Sequence, residues 1–399
     1  MKLSLRNLDL KGKKVLMRVD FNVPLTKDGT VRDDSRIRLT LPSIEYILNQ
    51  GGKLILMSHL GRPSGKKDPK LSLNPIARHL EKILDKPVLM AADCIGPEIE
   101  KQAACLDDGS IMLLENVRFY PGEEHPDETP SFAKNLAKLG DLYVNDAFGT
   151  SHRMHTSTAL LADYFPKKSA LGFLMEREVS HLSTLISNPE RPFYAIIGGA
   201  KVGSKIGVLK SLSKKVDALF IGGGMAFTFL KSQGIPIGDS LYEESYLETA
   251  TSLLKSCKES NVQVFLPEDF LITEEFSNDS EIKIASASEG IPPGWQGLDI
   301  GPNTVDVWNT FLKKSASIFW NGPMGVFEFP NFAKGTHALA QSLASFKSSV
   351  IVGGGDSIAA INELGIQKEF THISTGGGAA LEYIEFGHLP GIDALSDLV

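Results

Sequence analysis

The feature that most constrains the fold is a series of short apolar runs separated by segments with helical patterning. Runs of this length are typical of strands buried on both faces, which belong to parallel sheets with helical crossovers. The runs are 15–19, 53–57, 111–114, 142–144, 193–197, 218–221, 262–266, 317–320 and 350–352. Because nine strands are housed more easily in two sheets than in one, we predict an α/β fold of two Rossmann-like domains, each a doubly wound parallel sheet.

The two predicted domains are joined by a helix, with a cleft between them. Apolar residues recur at helical spacing after the turn-like stretch 165–172. They are Leu174, Val179, Leu182, Leu185 and Ile186. We place the boundary near residue 170, which gives an N-terminal domain of 1–170 and a C-terminal domain of 171–386 that includes the linking helix. At about 150 residues per domain, a chain of 399 residues is long enough for two large domains.

Charge is distributed unequally along the chain. Residues 1–153 contain 23 Lys and Arg against 21 Asp and Glu, whereas the rest contains 18 against 27. Nine of the eleven arginines lie in that first part. Since the guanidinium fork suits carboxylate and phosphate, a small anionic ligand in the first half is one interpretation, and solvated surface arginines are an equally good one on composition alone.

Composition excludes several other classes of protein. No apolar run approaches the roughly 18 residues of a membrane helix, and the N-terminal segment lacks the features of a signal peptide, so we expect a cytoplasmic protein. The net charge of −7, without a basic stripe, argues against a nucleic-acid partner. Cys94, Cys105 and Cys257 have no metal-site spacing and are expected to be free thiols.

Polar and basic residues follow the strands of the first half. In VLMRVDFNVP, a period of two sends Arg18, Asp20 and Asn22 to one face, and a ligand site explains this better than a solvent-facing edge strand. An arginine follows each of three later runs, and further cationic candidates lie nearby. These residues are Arg62, Arg118, Arg153, Arg36 and His59. Their convergence on one anion is the functional interpretation, while a structural role for His59 or His152 is the alternative.

Glycines follow four strands of the second half. The loops read GGAKVGSKIGVL, GGGMAF, GGGDSIAAI and GGGAALEYI. Glycine lets the backbone approach a phosphate, and a helix that begins directly afterwards directs free N–H groups at it. Ordinary turns explain one such loop, but four indicate a nucleotide site. None has the dinucleotide fingerprint, which disfavours a dehydrogenase.

Two of these loops contain charged candidates. If a helix begins near Ala200, Lys201 and Lys205 lie four residues apart on one face, where they reach a phosphate. A solvated lysine pair is the alternative. Asp356 would repel a phosphate unless a divalent cation lay between them, so it implies a Mg²⁺-nucleotide, and an N-cap role for Asp356 is equally consistent with the local sequence.

Together, these motifs resemble the phosphoglycerate kinase family over the whole chain. The ordered set is RVDFNVP, SHLGRP, ENVRF, DAFGTSHR, GGAKVGSKI, WQGLDIGP, WNGPMGVFE and GGGDS. The resemblance implies a monomeric, cytoplasmic, two-domain kinase of glycolysis that passes a phosphoryl group between 1,3-bisphosphoglycerate and ADP with Mg²⁺. It further implies that the acid binds the N-terminal domain, the nucleotide binds the C-terminal domain, and residues 387–399 return to the N-terminal domain.

The resemblance also implies site residues. Phosphoglycerate binding falls to Asp20, Asn22, Arg36, His59, Arg62, Arg118 and Arg153. Nucleotide binding falls to Lys201, Lys205, Gly297, Glu328, Gly354, Gly355, Asp356 and Ser357, with Asp356 holding the metal and Glu328 the ribose hydroxyls. Ser357 departs from the more frequent threonine, and Met154 and Thr156 replace smaller residues.

The expected chemistry needs no general base, because the acceptor oxygen of ADP or of a carboxylate is already ionised at neutral pH. Positioning and charge neutralisation remain, and Arg36, Lys201 and Lys205 are the catalytic candidates for them. Closure of the two domains would bring the substrates together. A two-domain Rossmann dehydrogenase and a non-enzymatic nucleotide-binding module are the alternatives.

Overall fold

The computed structural model describes residues 1–398. It divides into two compact units. Unit 1 comprises Met1–Ser180 together with the segment from His388 onward, and unit 2 comprises His181–Gly387. The division falls within the linking helix, about ten residues beyond the edge that the sequence predicts near residue 170.

Unit 1 is built on a six-stranded sheet in which every pairing is parallel, in the order β3-β4-β2-β1-β5-β6. The strands are β1 (Lys14–Arg18), β2 (Lys53–Met57), β3 (Val88–Met90), β4 (Ile111–Leu113), β5 (Leu142–Asn145) and β6 (Ser169–Leu171). The helices are α1 (Ser35–Asn49), α2 (Asn74–Leu84), α3 (Pro97–Ala104), α4 (Pro121–Glu124) and α5 (Ser131–Ala137). The sequence missed the two edge strands, because Leu89 of β3 is exposed and β6 begins with a serine, so neither is a run of buried apolar residues.

The central strand β1 is covered on both faces. Leu16 and Met17 point to opposite faces, and both are fully buried. Burial continues in alternation past the strand, through Val19 and Phe21, with the partly exposed Asp20 between them. The apolar run therefore fixes the direction in which the polar residues after β1 lie.

Helix α2 shows how side chains fix an element of this unit. Its apolar residues Ile76 and Leu80 are buried. At its N-terminal end, the Glu115 carboxylate accepts hydrogen bonds from the Ser72 hydroxyl at 2.7 Å and the Leu73 amide at 2.9 Å. An acceptor at this end satisfies amides that have no partner within the helix.

The predicted linking helix is α6 (Phe173–Ser187). Near its N-terminus, the buried Asp146 carboxylate accepts a hydrogen bond from the Met175 amide at 3.0 Å. Burial raises the pKa of Asp146 to about 7, against the hydrogen bonds that lower it. A carboxylate at the first turn is favourable to the helix dipole, so the ionised form of Asp146 stabilises the start of α6.

Unit 2 contains a second six-stranded parallel sheet, in the order β15-β14-β13-β7-β8-β9. Its strands are β7 (Phe193–Ile197), β8 (Ala218–Ile221), β9 (Gln263–Phe265), β13 (Ser317–Asn321), β14 (Ser349–Gly353) and β15 (His372–Ile373). Three further strands lie between β9 and β13 in sequence: β10 (Asp269–Thr273), β11 (Lys283–Ser286) and β12 (Gln296–Ile300). The helices are α7 (Ile206–Leu212), α8 (Met225–Ser232), α9 (Leu247–Glu259), α10 (Pro302–Leu312), α11 (Lys334–Ala344), α12 (Gly355–Leu364) and α13 (Gly378–Phe386). The two parallel sheets confirm the predicted fold class.

Strands β10, β11 and β12 form an antiparallel sheet that the sequence did not predict. Its side chains pack over Phe227, Phe270 and Trp295 in a separate core. The register shifts between Leu271 and Ile272. Short strands with an interrupted register have no regular alternation, so hydrophobic periodicity does not reveal them.

The segment after unit 2 contains α14 (Pro390–Asp393) and bonds to unit 1. The Gly391 amide donates to the Ser151 carbonyl at 2.8 Å, and the Leu3 amide donates to the Ser396 carbonyl at 2.8 Å. Both ends of the described chain thus lie on unit 1. Within residues 1–398, no helix is long and apolar enough to cross a membrane.

Candidate functional sites

The site residues predicted in unit 1 follow four neighbouring strands, β4, β2, β1 and β5. Because parallel strands end at one edge of a sheet, the residues after them are brought to one place. Asn22 follows β1, His59 follows β2, Arg118 follows β4 and Arg153 follows β5. The topology therefore places the predicted anion-binding residues along a single edge.

Hydrogen bonds join the segment after β1 to its neighbours. Arg36, in the first turn of α1, donates through NH1 to Asp20 Oδ2 at 2.9 Å. Asn22 Oδ1 accepts from the Gly61 amide at 2.9 Å. Gly61 has a φ of +64°, and a Cβ there would lie 2.7 Å from the Leu71 side chain, so this position requires glycine. The SHLGRP turn is thereby held against the end of β1.

Arg118 lies in the turn after β4 and is only 4% exposed. Its NH1 donates to the Gly61 carbonyl at 3.0 Å. Its Nε lies 3.3 Å from Glu124 Oε1 but makes no hydrogen bond, so this contact is an ion pair without hydrogen-bond alignment. Burial lowers the pKa of Arg118, an effect that Glu124 opposes and Arg18 and Arg153 reinforce. The Nε–H of Arg118 is therefore left without a hydrogen-bond acceptor within residues 1–398, and it lies near other cations.

Two histidines at this edge have lowered pKa values, in part because arginines lie near them. Burial lowers the pKa of His59 well below its ordinary value, and Arg18, Arg118 and Arg36 lower it further. Burial, Arg118 and Arg153 lower the pKa of His155 to about 3. The arginines that add to burial in lowering these two pKa values would also attract an anion.

Arg153 and Arg62 differ in how they are held. Arg153 is half-buried, and its Nε donates to His152 Nε2 at 3.3 Å. Arg62 is exposed and has no ion pair within the described part of the chain. From the sequence, Arg18 is predicted to share the ligand-facing side of the first strand with Asp20 and Asn22, but no binding role is assigned to it. Nothing singles out His155 except its position two residues after Arg153.

In unit 2, the predicted helix start near Ala200 is wrong. Helix α7 begins at Ile206, and Lys205 is its N-cap. Gly199 has a φ of +118°, and the Gly203 amide donates to Glu243 Oε2 at 2.9 Å, which ties residues 199–205 into a turn. Lys201 and Lys205 therefore do not share a helix face, because helix geometry fails at these glycines.

Lys205 folds back over the ends of two strands. Its Nζ donates to the Gly198 carbonyl at 2.6 Å, to Asn321 Oδ1 at 2.8 Å and to the Asn321 carbonyl at 3.3 Å. Burial lowers the pKa of Lys205 to about 8, and the Asp356 carboxylate acts in the opposite direction. Lys201 is exposed, and its ammonium has no partner within residues 1–398.

The GGGDS loop lies beside Lys205, because β14 neighbours β13. Gly354, with a φ of +92°, is the N-cap of α12, which begins at Gly355. Asp356 is therefore in the first turn and is not the N-cap, and its exposed side chain caps nothing. Ser357 is buried, and its hydroxyl accepts from the Gly322 amide at 2.7 Å. This bond ties the loop to the end of β13.

The other predicted nucleotide residues lie near the antiparallel sheet. Gly297 is in β12, and a Cβ there would lie 2.3 Å from the Phe227 ring. The Val326 amide donates to the Leu298 carbonyl at 2.8 Å, so the loop that carries the exposed Glu328 runs beside Gly297. Three of the four glycine loops lead directly into helices α8, α12 and α13, as predicted. The first loop does not.

Asn321 is a neighbour of this site that the sequence did not single out. It is 1% exposed, its Oδ1 holds Lys205, and its Nδ2 has no partner within residues 1–398. A Cβ at Gly354 would lie 3.1 Å from that Nδ2. The motif WNGPMG alone gave no reason to separate Asn321 from its neighbours.

Fold and sites define a class of α/β protein in which one unit presents cationic side chains and the other presents glycine-rich loops at strand ends, a place where such proteins bind ligands. A family model described as phosphoglycerate kinase matches residues 5–386. The chain belongs to the phosphoglycerate kinase family. It is a phosphotransferase, and a dehydrogenase or a non-enzymatic module is not favoured.

Individual relatives agree with this assignment. The phosphoglycerate kinase of Chlorobium phaeobacteroides (strain BS1) is 52% identical over 99% of this chain and 100% of the relative. The cytosolic phosphoglycerate kinase of Triticum aestivum is 51% identical over 99% of this chain and 98% of its own. The solved phosphoglycerate kinase of Coxiella burnetii superposes with a TM-score of 0.89 at 38% identity, covering 99% of this chain and 98% of that one.

Proposed function

We propose that this phosphoglycerate kinase family member transfers a phosphoryl group reversibly between 1,3-bisphosphoglycerate and MgADP, which yields 3-phosphoglycerate and MgATP. The observation that carries the proposal is that the two sheet edges present different groups to a ligand. Arginine forks at the edge of unit 1 suit a small, highly charged acid. Glycine loops with a lysine at the edge of unit 2 suit a nucleotide phosphate chain.

The proposed phosphoglycerate site uses the side chains that meet at the edge of unit 1. They are Asp20, Asn22, Arg36, His59, Arg62, Arg118 and Arg153. Support comes from the bonds that hold Arg36 and Asn22 in place, and from the pKa of His59 and of Arg118, which burial lowers and neighbouring arginines lower further. An anion relieves that repulsion, so its binding is favoured by the arrangement of the protein alone.

The proposed nucleotide site uses the strand ends of unit 2. Its members are Lys201, Lys205, Gly297, Glu328, Gly354, Gly355, Asp356 and Ser357. The N-terminus of α12 offers free amides to a phosphate, and Lys205 lies next to it. The family resemblance makes Glu328 the candidate for the ribose hydroxyls, and the loop that carries Glu328 runs beside Gly297.

The residues present fit a Mg²⁺ ion that arrives with the nucleotide. Within residues 1–398, no group of three His, Cys, Asp or Glu side chains forms a metal cage. Mg²⁺ usually takes one or two carboxylates plus substrate phosphates, and Asp356 is exposed beside the phosphate-binding glycines. When bound, the ion would neutralise charge on the nucleotide phosphates.

The protein's own part in the reaction is positioning and charge stabilisation. The acceptor oxygen is already ionised, so no side chain needs to remove a proton. Arg36 from unit 1 and Lys201 and Lys205 from unit 2 would stabilise the negative charge of the transferring group. We further propose that the two units close around their substrates, because each unit holds only one of them.

The remaining proposals concern context. We propose a monomeric, cytoplasmic protein that acts on small molecules and has no nucleic-acid or membrane partner. The relatives include the cytosolic phosphoglycerate kinase of Triticum aestivum and a chloroplastic one of Arabidopsis thaliana, and the net charge of −7 disfavours nucleic acid. Light scattering of the purified chain tests whether it is a monomer, and fractionation of its host cells tests whether it is cytoplasmic.

The deciding experiment is ATP formation from ADP and 1,3-bisphosphoglycerate in a coupled assay. We expect activity that requires both substrates and magnesium. Calorimetric titration separates the alternatives: a non-enzymatic module would bind MgADP and ignore 3-phosphoglycerate, and a dehydrogenase would bind a nicotinamide cofactor. Lys205→Ala is the matched variant of lowered activity, because it removes a proposed catalytic group.

A further inference from the structure

A chain of buried polar groups lies behind His59. Arg18, at the end of β1, is fully buried, and its Nε donates to the Ser157 hydroxyl at 2.8 Å. Ser157 in turn donates to Glu123 Oε1 at 2.6 Å, and its amide donates to Glu123 Oε2 at 2.9 Å. Arg18 NH1 also donates to the Val19 carbonyl. A buried guanidinium with this many fixed partners has one orientation.

The remaining nitrogen of Arg18, NH2, lies 3.2 Å from His59 Nδ1. A guanidinium has only donors, so Nδ1 must accept and carries no proton. The competing group is Asp20, whose Oδ1 lies 3.9 Å from the same Nδ1, beyond hydrogen-bond distance. The contact with Arg18 therefore places the single ring proton of a neutral His59 on Nε2.

The other groups around His59 favour the same neutral state. Arg36, Arg118 and His155 act on it from α1, from the turn after β4 and from the loop after β5. Each of these disfavours an imidazolium when it is protonated, and Asp20 is the nearby carboxylate that opposes them. His59 Nε2 has no partner within residues 1–398. One N–H donor is thus left for a ligand.

We propose that Arg18 is a positioning residue that holds His59 as a neutral imidazole with its proton on Nε2, ready to donate to an oxygen of bound phosphoglycerate. This inference rests on the proposed function for the identity of the ligand, but the tautomer itself does not depend on it. Its consequence is a hydrogen-bond donor that keeps its proton on the same nitrogen across the physiological pH range.

The first test is histidine ¹⁵N nuclear magnetic resonance on the full chain, with the His59 signals assigned by their loss in His59→Gln. At pH 7 we expect protonated Nε2 and unprotonated Nδ1. His388 is an internal contrast, because its Nδ1 lies 2.9 Å from Asp393 Oδ2 and must donate. A His59 imidazolium, or a proton on Nδ1, would overturn the proposal.

The second test removes the positioning contact without leaving a buried charge unpaired. In Arg18→Gln/Glu123→Gln, we expect His59 to lose its single tautomer and to titrate closer to pH 6.5, and KM for 3-phosphoglycerate to rise about tenfold with KM for ATP unchanged. Arg78→Gln, an exposed arginine of α2, is the matched control. An unchanged His59 spectrum in the double variant would contradict the role of Arg18.

Ligand titration separates this inference from the proposed function. Addition of 3-phosphoglycerate should shift the Nε2 resonance, and addition of ATP should not. If the predicted tautomer is present while 3-phosphoglycerate leaves the resonance unmoved, the ligand assignment fails and the role of Arg18 in setting the tautomer stands. If the resonance shifts but the proton is on Nδ1, the substrate site stands and the role of Arg18 fails.

Discussion

The two parallel sheets use their strand ends in opposite ways. The edge of unit 1 is crowded with charged side chains that are held by hydrogen bonds, Arg36 by the Asp20 carboxylate and Arg118 by the Gly61 carbonyl. The edge of unit 2 is mostly main chain, with Gly354 at a positive φ and the half-buried Lys205 ammonium bonded to strand-end oxygens. The same topology therefore supports recognition by side chains or by backbone.

The difference has an electrostatic consequence. In unit 1, neighbouring cations add to burial in lowering the pKa of His59 and His155, so the edge is positive before any ligand arrives. In unit 2, burial alone lowers the pKa of Lys205, and Asp356 opposes it. Unit 1 is suited to attract an anion at any neutral pH, whereas the candidate cations at the edge of unit 2 are two lysines, Lys201 and Lys205.

The strongest break in this comparison should come from Arg118→Ala. Loss of a nearly buried charge-assisted contact should weaken 3-phosphoglycerate binding by about 1.5 to 3 kcal/mol, and MgADP binding should be retained. Arg62→Ala should fall at the lower end, because Arg62 is exposed. Calorimetry with each ligand measures both effects, with Arg78→Ala as control. Retained acid affinity with lost nucleotide affinity would refute the assignment of units.

Lys205→Ala tests the edge of unit 2. We expect kcat to fall tenfold or more, about 1.4 kcal/mol, because charge on the transferring group is stabilised mainly in the transition state. Arg36→Ala should behave similarly from the other unit. Steady-state kinetics with both substrates varied decides the matter: a raised KM for ADP with kcat unchanged makes Lys205 a ground-state clamp. Thermal unfolding checks that the variant remains folded.

Asp356→Asn tests the role of the metal at the edge of unit 2, because it removes a negative charge that would repel the nucleotide phosphates unless a cation lay between them. We expect activity to require more magnesium, with a smaller effect than Lys205→Ala, while free ADP binds as well or better. Magnesium titration of activity in variant and parent is the measurement. Identical magnesium dependence would leave Asp356 with only a favourable place in the first turn of α12.

The sequence was informative where chemistry repeats along the chain. Arg62, Arg118 and Arg153 each follow an apolar run, so their place at one edge could be predicted from strand order alone. It failed at Lys201 and Lys205, because the turn at residues 199–205 depends on contacts with Glu243 and Tyr246, about 40 residues away in sequence. The contact of Arg18 with His59 is likewise tertiary, since it joins two strand ends that only the fold brings together.

The pH dependence of the nucleotide site gives the smallest effect and the finest comparison of the two edges. With the pKa of Lys205 lowered to about 8, the free enzyme loses this cation as pH rises through 8, while substrate phosphates stay ionised above pH 7. We expect kcat/KM for ADP to fall about fourfold between pH 7 and pH 8.5, because kcat/KM reports the free enzyme. Phosphoglycerate affinity should change less, since arginines stay charged.

Loss of folding cannot account for a fall in kcat/KM over this range, because the effect of Lys205 on stability has the opposite sign. The pKa of this lysine is lower in the folded state, so the unfolded chain binds more protons between about pH 8 and 10.4, and the free energy of unfolding rises with pH there. Lys205→Arg should remove the fall in kcat/KM. A parent profile that stays flat to pH 9 would place the ammonium in contact with an anion or carboxylate that keeps it charged.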